Sequence, residues 1–518
     1  MKRYLQILGF LATGFAFSSA NAVDLMQVYR QALRSDPIFA QAQSTWQSQK
    51  MRLPIAEAGY LPQVSIAANS TRDYLKTNPS SLLNTGVSSY SWQYGYTLNA
   101  SQSIFNFPVW AQIRGADATV KAATASYLAA QQSLMQRTAT GYFNVLNAYD
   151  QLRYKIANKR AVWQQYVTAR QQFQVGLIAI TDEYDARSNY DQVVAQQVAA
   201  QNNLNIQLEA LRQLTGQNYI SLKGLGKHLP LISPQPNNID RWVTIANQQN
   251  YLLKAQNYTV IAAMETIKQQ AAGDYPTLGV QGSYGENHTV DNALDTANDT
   301  GSLGLNLSYA PIQGGLVIAS TKQARYNYAT ASGLLEQTHR QVVNAARSSF
   351  LSVLSDVSQI KADKQSIISA HNAVQTTEAG FKVGTRTMVD VLSALTRLYQ
   401  AQQQYATDQY SYINNLIALK AAAGTLSVSD LQQINHWLGK SLRFPEQTSV
   451  ATVPSDNANE KIKMDDGASV DQLKTTLLQS TKPVFHDDVL KQRQPIAAKS
   501  SVQLAPPQTT LLPPPAST

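Results

Sequence analysis

The sequence predicts a mixed fold of α-helix and transmembrane β-strand: a β-barrel to which each chain gives four strands, continued by a long helical coiled coil. Three features carry that expectation. Four segments alternate apolar and polar residues in the strand period, and two stretches run helical for far longer than a globular domain requires. Both features occur twice, because the chain is an internal repeat.

The repeat is visible at single residues. Phe173-Gln174-Val175-Gly176 recurs 208 residues on as Phe381-Lys382-Val383-Gly384, and the pairs Gly216/Gly424 and Asp182/Asp390 share that offset. Tyr60-Leu61-Pro62-Gln63-Val64 resembles Asp274-Tyr275-Pro276-Thr277-Leu278 at a slightly different spacing. Each half reads helix, strand, strand, very long helix, turn, long helix. The halves are assigned to residues 23–235 and 236–447.

The flanks differ in character. Lys2 and Arg3 precede a mostly apolar run from Leu5 to Phe17, and Ser19-Ala20-Asn21-Ala22 offers small residues where a signal peptidase cuts. The run is short of the ~20 apolar residues of a spanning helix, so residues 1–22 read as a cleaved export signal. Its removal lowers the formal net charge from +9 to +7. After about Thr448, Pro, Ser, Thr, Gln and Asn rise without periodicity, so residues 448–518 are expected to be a disordered tail.

An exported chain without cysteine has neither a disulfide framework nor a lipid-modified cysteine to anchor it. No later segment is apolar enough for a membrane helix, so any bilayer crossing must be a β-barrel. In the strand over Ser91–Ser101, Trp92, Tyr94, Tyr96, Leu98 and Ala100 share one parity, and Gln93, Gly95, Thr97 and Asn99 the other. Leu278, Val280, Gly282 and Tyr284 alternate with Gly279, Gln281 and Ser283, and Leu303, Leu305, Leu307 and Tyr309 with Gly304, Asn306 and Ser308; Val64 and Ile66 begin a fourth run. A half-buried sheet in a soluble domain alternates in the same way, but Tyr and Trp crowding the apolar parity favour a bilayer interface. Four strands cannot close, since single-chain barrels start at about eight and open edges are not tolerated in lipid. The barrel must therefore be shared between chains, and long helices descending from it favour the wider assembly.

From about Val109 to Gln174 there is no proline, and the only interior glycines are Gly115 and Gly141. At ~1.5 Å per residue this helix is on the order of 100 Å long. Val109, Ile113, Ala116, Val120, Ala123, Tyr127, Ala130 and Leu134 step by four and three, as a coiled-coil seam does. The spacing stretches through Thr138 to Tyr142 and resumes at Val145, Tyr149, Leu152 and Ile156, a stutter that locally unwinds the supercoil. Leu204, Leu208 and Leu211 mark one return helix; Leu392, Leu395, Tyr399, Ile413 and Leu416 mark the other. Gln402 and Gln409 stand where a dry coiled coil places leucine, which suits packing around a wet tube better than a solid fibre.

Enzymatic readings find no residues to carry them. Six histidines, at 228, 288, 339, 371, 436 and 486, lie far apart and outside zinc-ligand spacing, and there is no nucleophile elbow or phosphate loop. No catalytic residue, cofactor or metal is expected. Lys and Arg form no stripe, so no nucleic-acid partner is expected either.

Leu25-Met26-Gln27-Val28-Tyr29, Tyr142-Phe143-Asn144-Val145-Leu146-Asn147-Ala148, Ala179-Ile180-Thr181-Asp182 and Gly384-Thr385-Arg386-Thr387 with Val389-Asp390-Val391-Leu392 are specific in combination. Over roughly Asp24 to Lys440 the chain resembles the TolC family of outer-membrane efflux and type I secretion channels. The resemblance implies a homotrimer with a twelve-stranded barrel in outer-membrane lipid, a periplasmic helical tunnel, and a small mixed belt drawn from about Leu222–Asn238 and Ser427–Leu442. It further implies a passive duct working with a periplasmic adaptor and an inner-membrane pump of the RND, MFS or ABC type. Thr181, Asp182, Arg386 and Asp390 would form the periplasmic gate, with Val175, Gly176, Leu177, Val383, Gly384 and Thr385 as adaptor-docking tips. Two positions depart from the family: Ser393 replaces a second acidic residue, and Phe381 a tyrosine that would bond the latch aspartate. Read without the family, Thr181 and Asp182 are helix N-caps, Gly176 and Gly384 helix stops, and Arg386 a solvated turn residue. The competing class is a periplasm-spanning coiled-coil protein that conducts nothing.

Overall fold

The computed structural model describes residues 22–76, 88–226, 228–290 and 295–445; the expected export signal up to Asn21 and the expected tail after Thr448 lie outside them. The first half comprises α1 (Leu25–Ser35), α2 (Pro37–Lys50), α3 (Arg52–Ala58), β1 (Gln63–Lys76), β2 (Ser88–Phe105), α4 (Phe107–Gln174), α5 (Ile180–Thr215) and β3 (Ser221–Leu225). The second comprises α6 (Ile239–Gln249), α7 (Tyr251–Ala271), β4 (Thr277–Val290), β5 (Asp295–Ser308), α8 (Leu316–Lys382), α9 (Met388–Ala422), α10 (Val428–Asn435) and β6 (Leu438–Arg443). The helix breaks obey the repeat. Gly176 and Gly384 have φ of +74° and +79°, and Gly216 and Gly424 have φ of +68° and +72°.

The four long strands make one antiparallel sheet in the order β1-β2-β4-β5. Residues directly opposed across an antiparallel pair share a face, so the register sorts the sheet into rows. Phe105–Leu278–Leu307, Gln102–Val280–Leu305, Val64–Ala100–Gly282–Leu303 and Ile66–Leu98–Tyr284 stack as four rows on one face, apolar but for Gln102. Beyond them that face turns aromatic and charged. Tyr96 stands beside Glu286 and Asp299, the Tyr94 ring stacks on His288 with centroids 5.0 Å apart, and Arg72 lies over Tyr90 and Trp92. The opposite face holds Ser65, Asn99, Ser283 and Ser302 in one row and Thr97, Gly285 and Thr300 in the next, all uncharged. Among the described residues neither β1 nor β5 has a further strand on its outer edge, and Leu303 is 82% exposed. One chain leaves this sheet unfinished.

From the sheet the helices run away as two pairs, α4 with α5 and α8 with α9; α7, α2 and α3 flank α4 nearer the sheet. In that part the expected seam is displaced. Val109, Ile113, Val120 and Ala123 are only half-buried, with Leu134 alone of that seam fully buried, and the buried line is Ala111, Ala118, Ala125, Gln132 and Ala139, seven apart. The physical reason is crowding: with neighbours on several sides, α4 is approached most closely along its smallest side chains, and the larger ones flank the contact. Arg114 secures this packing through Glu265 of α7, at 2.8 Å.

At the stutter the core thickens into the belt. Tyr142, Phe143, Leu146, Leu204, Tyr412 and Ile413 are buried there with Leu25 and Val28 of α1. The Tyr142 hydroxyl donates to the Lys223 carbonyl at 2.6 Å, tying α4 to β3. β3 pairs antiparallel with β6, and Val23 bridges to Leu222 on the other side. The expected mixed belt thus consists of β3, β6, α10 and the docked start of the described chain.

Candidate functional site

The ends of the two helical hairpins are built by one device. After α4, Val175 leaves helical geometry and Gly176 takes the left-handed conformation; the Leu177 N–H then donates to the Gln172 carbonyl at 2.8 Å and the Gly176 N–H to Phe173 at 2.9 Å. After α8, Val383 and Gly384 repeat this, with Thr385 N–H to Gly380 at 2.9 Å and Gly384 N–H to Phe381 at 3.0 Å. This double closure satisfies the last helical carbonyls and needs a residue without Cβ penalty at the left-handed position. Nothing lies within 4 Å of where a Cβ on either glycine would sit, and Val175, Leu177 and Val383 are 70–75% exposed. Both tips are open apolar surfaces.

The return helices start differently. α9 is capped by Thr387: its hydroxyl accepts from the Asp390 N–H at 3.2 Å, and the Asp390 carboxylate accepts from the Thr387 N–H and hydroxyl, each at 3.0 Å. Those bonds, with the charges of Arg386 and Arg397, hold the Asp390 carboxyl below the usual carboxylate range. In α5 the capping position is Ala179, which offers no side-chain bond. Thr181 and Asp182 therefore are not the N-caps that local reading suggests; they occupy the first turn, where the Asp182 N–H donates to the Ala179 carbonyl at 3.1 Å, and neither side chain makes a hydrogen bond or ion pair within the described residues.

Arg386 projects from the α8–α9 turn, exposed and without an ion pair to Asp390 or Asp182 in the chain. Its stem is seated instead, since a Cβ on Gly380 would lie 2.8 Å from Arg386 Cγ. Gly380 is thus a positioning residue that sequence reasoning missed; its signal was a glycine one turn before the tip motif. Behind the tips, Met388 and Leu392 of α9 bury against Val162 and Ala169 of α4 and Ala186 and Val193 of α5, with Phe381 packed alongside. Phe381 also touches the cluster of Val374, Val391, Leu395 and Leu398. Within one chain the two hairpins are held tip to tip by apolar packing, while the polar gate candidates remain on the surface. Ser393 is half-buried.

The family model for outer membrane efflux proteins matches residues 28–217 and 242–425, one block in each half of the repeat. The chain belongs to the outer membrane efflux protein family. It is 36% identical over 473 residues to outer membrane protein TolC of Escherichia coli, covering 88% of this chain and 94% of that protein. It is 24% identical over 419 residues to the alkaline protease secretion protein AprF of Pseudomonas aeruginosa, covering 80% and 87%. The crystal structure of the Campylobacter jejuni CmeC outer membrane channel shares the fold, with a TM-score of 0.68 at 20% identity over 80% of this chain and 89% of that one. As an efflux-family chain it places its tip glycines, capping box and Arg386 at one end and its four-stranded sheet at the other.

Proposed function

We propose that the chain assembles as a homotrimer in the outer membrane and serves as a passive exit duct for tripartite efflux, type I secretion, or both. One observation carries the reading: a four-stranded sheet with a band of largely apolar rows on one face, uncharged polar rows behind that band, and both edges unpaired among the described residues, is joined to long helical hairpins that end in open tips. Three such sheets close a twelve-stranded wall with leucines toward lipid and hydroxyls and amides toward water. The matched relatives named for secretion and for channels point the same way.

In this reading residues 23–235 and 236–447 each supply half of the protomer's wall and one hairpin of the tunnel. Asp390 from three copies forms a carboxylate ring near the axis. The side chains of Arg386, Thr181 and Asp182 form no hydrogen bond or ion pair in one chain, which leaves them to pair between copies as the latch. Val175-Gly176-Leu177 and Val383-Gly384-Thr385 offer the close, apolar approach that an adaptor's helical hairpin needs, and the adaptor links the duct to an inner-membrane pump of the RND, MFS or ABC type. Planar-bilayer recording of the purified protein tests the duct: discrete conductance steps are expected, and a protein that inserts yet passes no ions is the non-conducting spacer instead. Native mass spectrometry tests the assembly, where a stable monomer, or a multiple other than three, overturns the shared barrel.

A further inference from the structure

Partway along α8 and α9, between the belt core and the apolar packing of the tips, the seam of this hairpin turns acidic. One layer is Asp356 on α8 with Asn415 on α9, whose amide donates to Asp356 Oδ2 at 2.7 Å. Seven residues toward the tip on each helix the layer repeats, but with aspartate on both sides: Asp363 and Asp408 face one another within hydrogen-bond reach. Gln359 Nε2 donates to Asp363 Oδ1 at 3.0 Å, and Gln404 Nε2 to Asp408 Oδ1 at 2.9 Å. The remaining oxygen of each, Oδ2, is buried without a partner, and Asp363 is only 7% exposed. Two carboxylates can only accept. The layer lacks the one hydrogen that Asn415 supplies to the layer above.

We infer that Asp363 and Asp408 hold one proton between them, and that this shared proton is a pH-sensitive clasp on the α8–α9 hairpin. The surroundings offer no other neutraliser. On α8 the neighbours are Asp356 and Gln359, with Lys361 and Lys364 exposed on the helix surface; on α9 they are Gln404 and Asn415. On α4, which packs against α9, Asp150 is engaged by the Tyr410 hydroxyl at 2.6 Å and by Arg153 at 3.2 Å. Among the described residues no Lys, Arg or His lies within ion-pair distance of either clasp carboxyl.

The direction follows from burial. Desolvation, reinforced by Asp408, pushes the Asp363 carboxyl up to about 6. A group whose folded value lies above its unfolded one stabilises fully below the unfolded value and loses that stabilisation as pH rises through the folded value. The hairpin is therefore clasped at mildly acidic pH; near neutrality it buries two like charges and loosens. Any effect on export rests on the duct reading above, because only there does this hairpin line the closing tunnel. The clasp itself does not depend on it.

Hydrogen exchange of the full chain in detergent, corrected for the intrinsic pH dependence of exchange, reads the clasp directly and needs no conduction. Between pH 5 and 8 protection of α8 and α9 around Asp363 and Asp408 is expected to fall about tenfold, with α4–α5 unaffected. Asp408→Asn makes the layer a copy of Asp356–Asn415 and should shrink the fall by supplying the missing hydrogen; Asp363→Asn, made separately, removes the more buried carboxyl and should shrink it further. A parent whose protection is flat across that range overturns the clasp, as do asparagine variants that keep the parent's pH dependence. Conductance that vanishes while the exchange pattern holds would count against the duct alone.

Discussion

Neighbouring residues 303 and 304 on β5 separate the two faces of the wall. Leu303 lies in the third of the four apolar rows, whereas Gly304 points to the polar face, with nothing within 4 Å of its Cβ position. Successive rows are two residues apart, roughly 6.8 Å along a strand. At the ~40° tilt of membrane strands that is ~5 Å of height, so four rows with their side chains make a band of ~20–25 Å, matching a bilayer's apolar band. Leu303 falls near its middle. Leu303→Arg is therefore expected to destabilise each chain by ~2–4 kcal/mol, roughly 30- to 700-fold in the folding equilibrium. In the proposed trimer this sums to ~6–12 kcal/mol. Gly304→Arg adds the same side chain one residue away but sends it into water, and should change stability by less than ~1 kcal/mol. Urea unfolding of both variants from lipid vesicles, followed by tryptophan fluorescence, measures the difference. Equal destabilisation by the two, or the reverse order, refutes the assignment of the leucine face to lipid.

If Asp390 forms the proposed ring, Arg386→Ala removes the cation at the α8–α9 turn and leaves the carboxylates repelling one another, so single-channel conductance should rise and cells should become sensitive to large antibiotics; unchanged conductance removes Arg386 from the proposed gate. Asp390→Asn keeps an acceptor for the Thr387 cap while deleting the charge, so cation selectivity, read as reversal potential in a salt gradient, should fall without loss of assembly. Because the Asp390 carboxyl is held low by its bonds to Thr387, the stability and charge it contributes are present above the ordinary carboxylate value and lost only as pH falls through its lower folded value. Thr387→Ala should therefore move the loss of selectivity on acidification to higher pH and weaken the α9 cap by ~1 kcal/mol; an unmoved titration refutes the role of the cap. Gly384→Arg should abolish drug efflux at normal outer-membrane levels. Gly384→Ala, which meets the same left-handed strain without the bulk, should retain more, and equal loss in both would make strain rather than docking the cause.

Much of the tip was legible because its causes are local. A glycine forced to positive φ, repeated 208 residues on, announces a helix end whatever surrounds it, and Gly176 and Gly384 both adopt it. The capping box at Thr387 and Asp390 is legible from its three-residue spacing. The seat of the Arg386 stem against Gly380, and the Phe381 ring shared by two apolar clusters, could not be read along the chain. They depend on how the turn folds back and on which helices meet behind it.

By itself the sequence determined the element types, the twofold repeat and the parity of the strands, and it set the expectation of a barrel shared between chains. Each follows from a periodicity or from the requirement that backbone groups in lipid be paired, and neither depends on distant contacts. Only the tertiary structure decided the strand order β1-β2-β4-β5, the rows that measure the apolar band, and the alanine line along α4 that replaced the expected seam. It alone also set Asp363 opposite Asp408. The physical reason is common to all four: strand register, helix approach and the meeting of two carboxyls are relations between segments far apart in the chain, fixed by which surfaces bury most completely against each other.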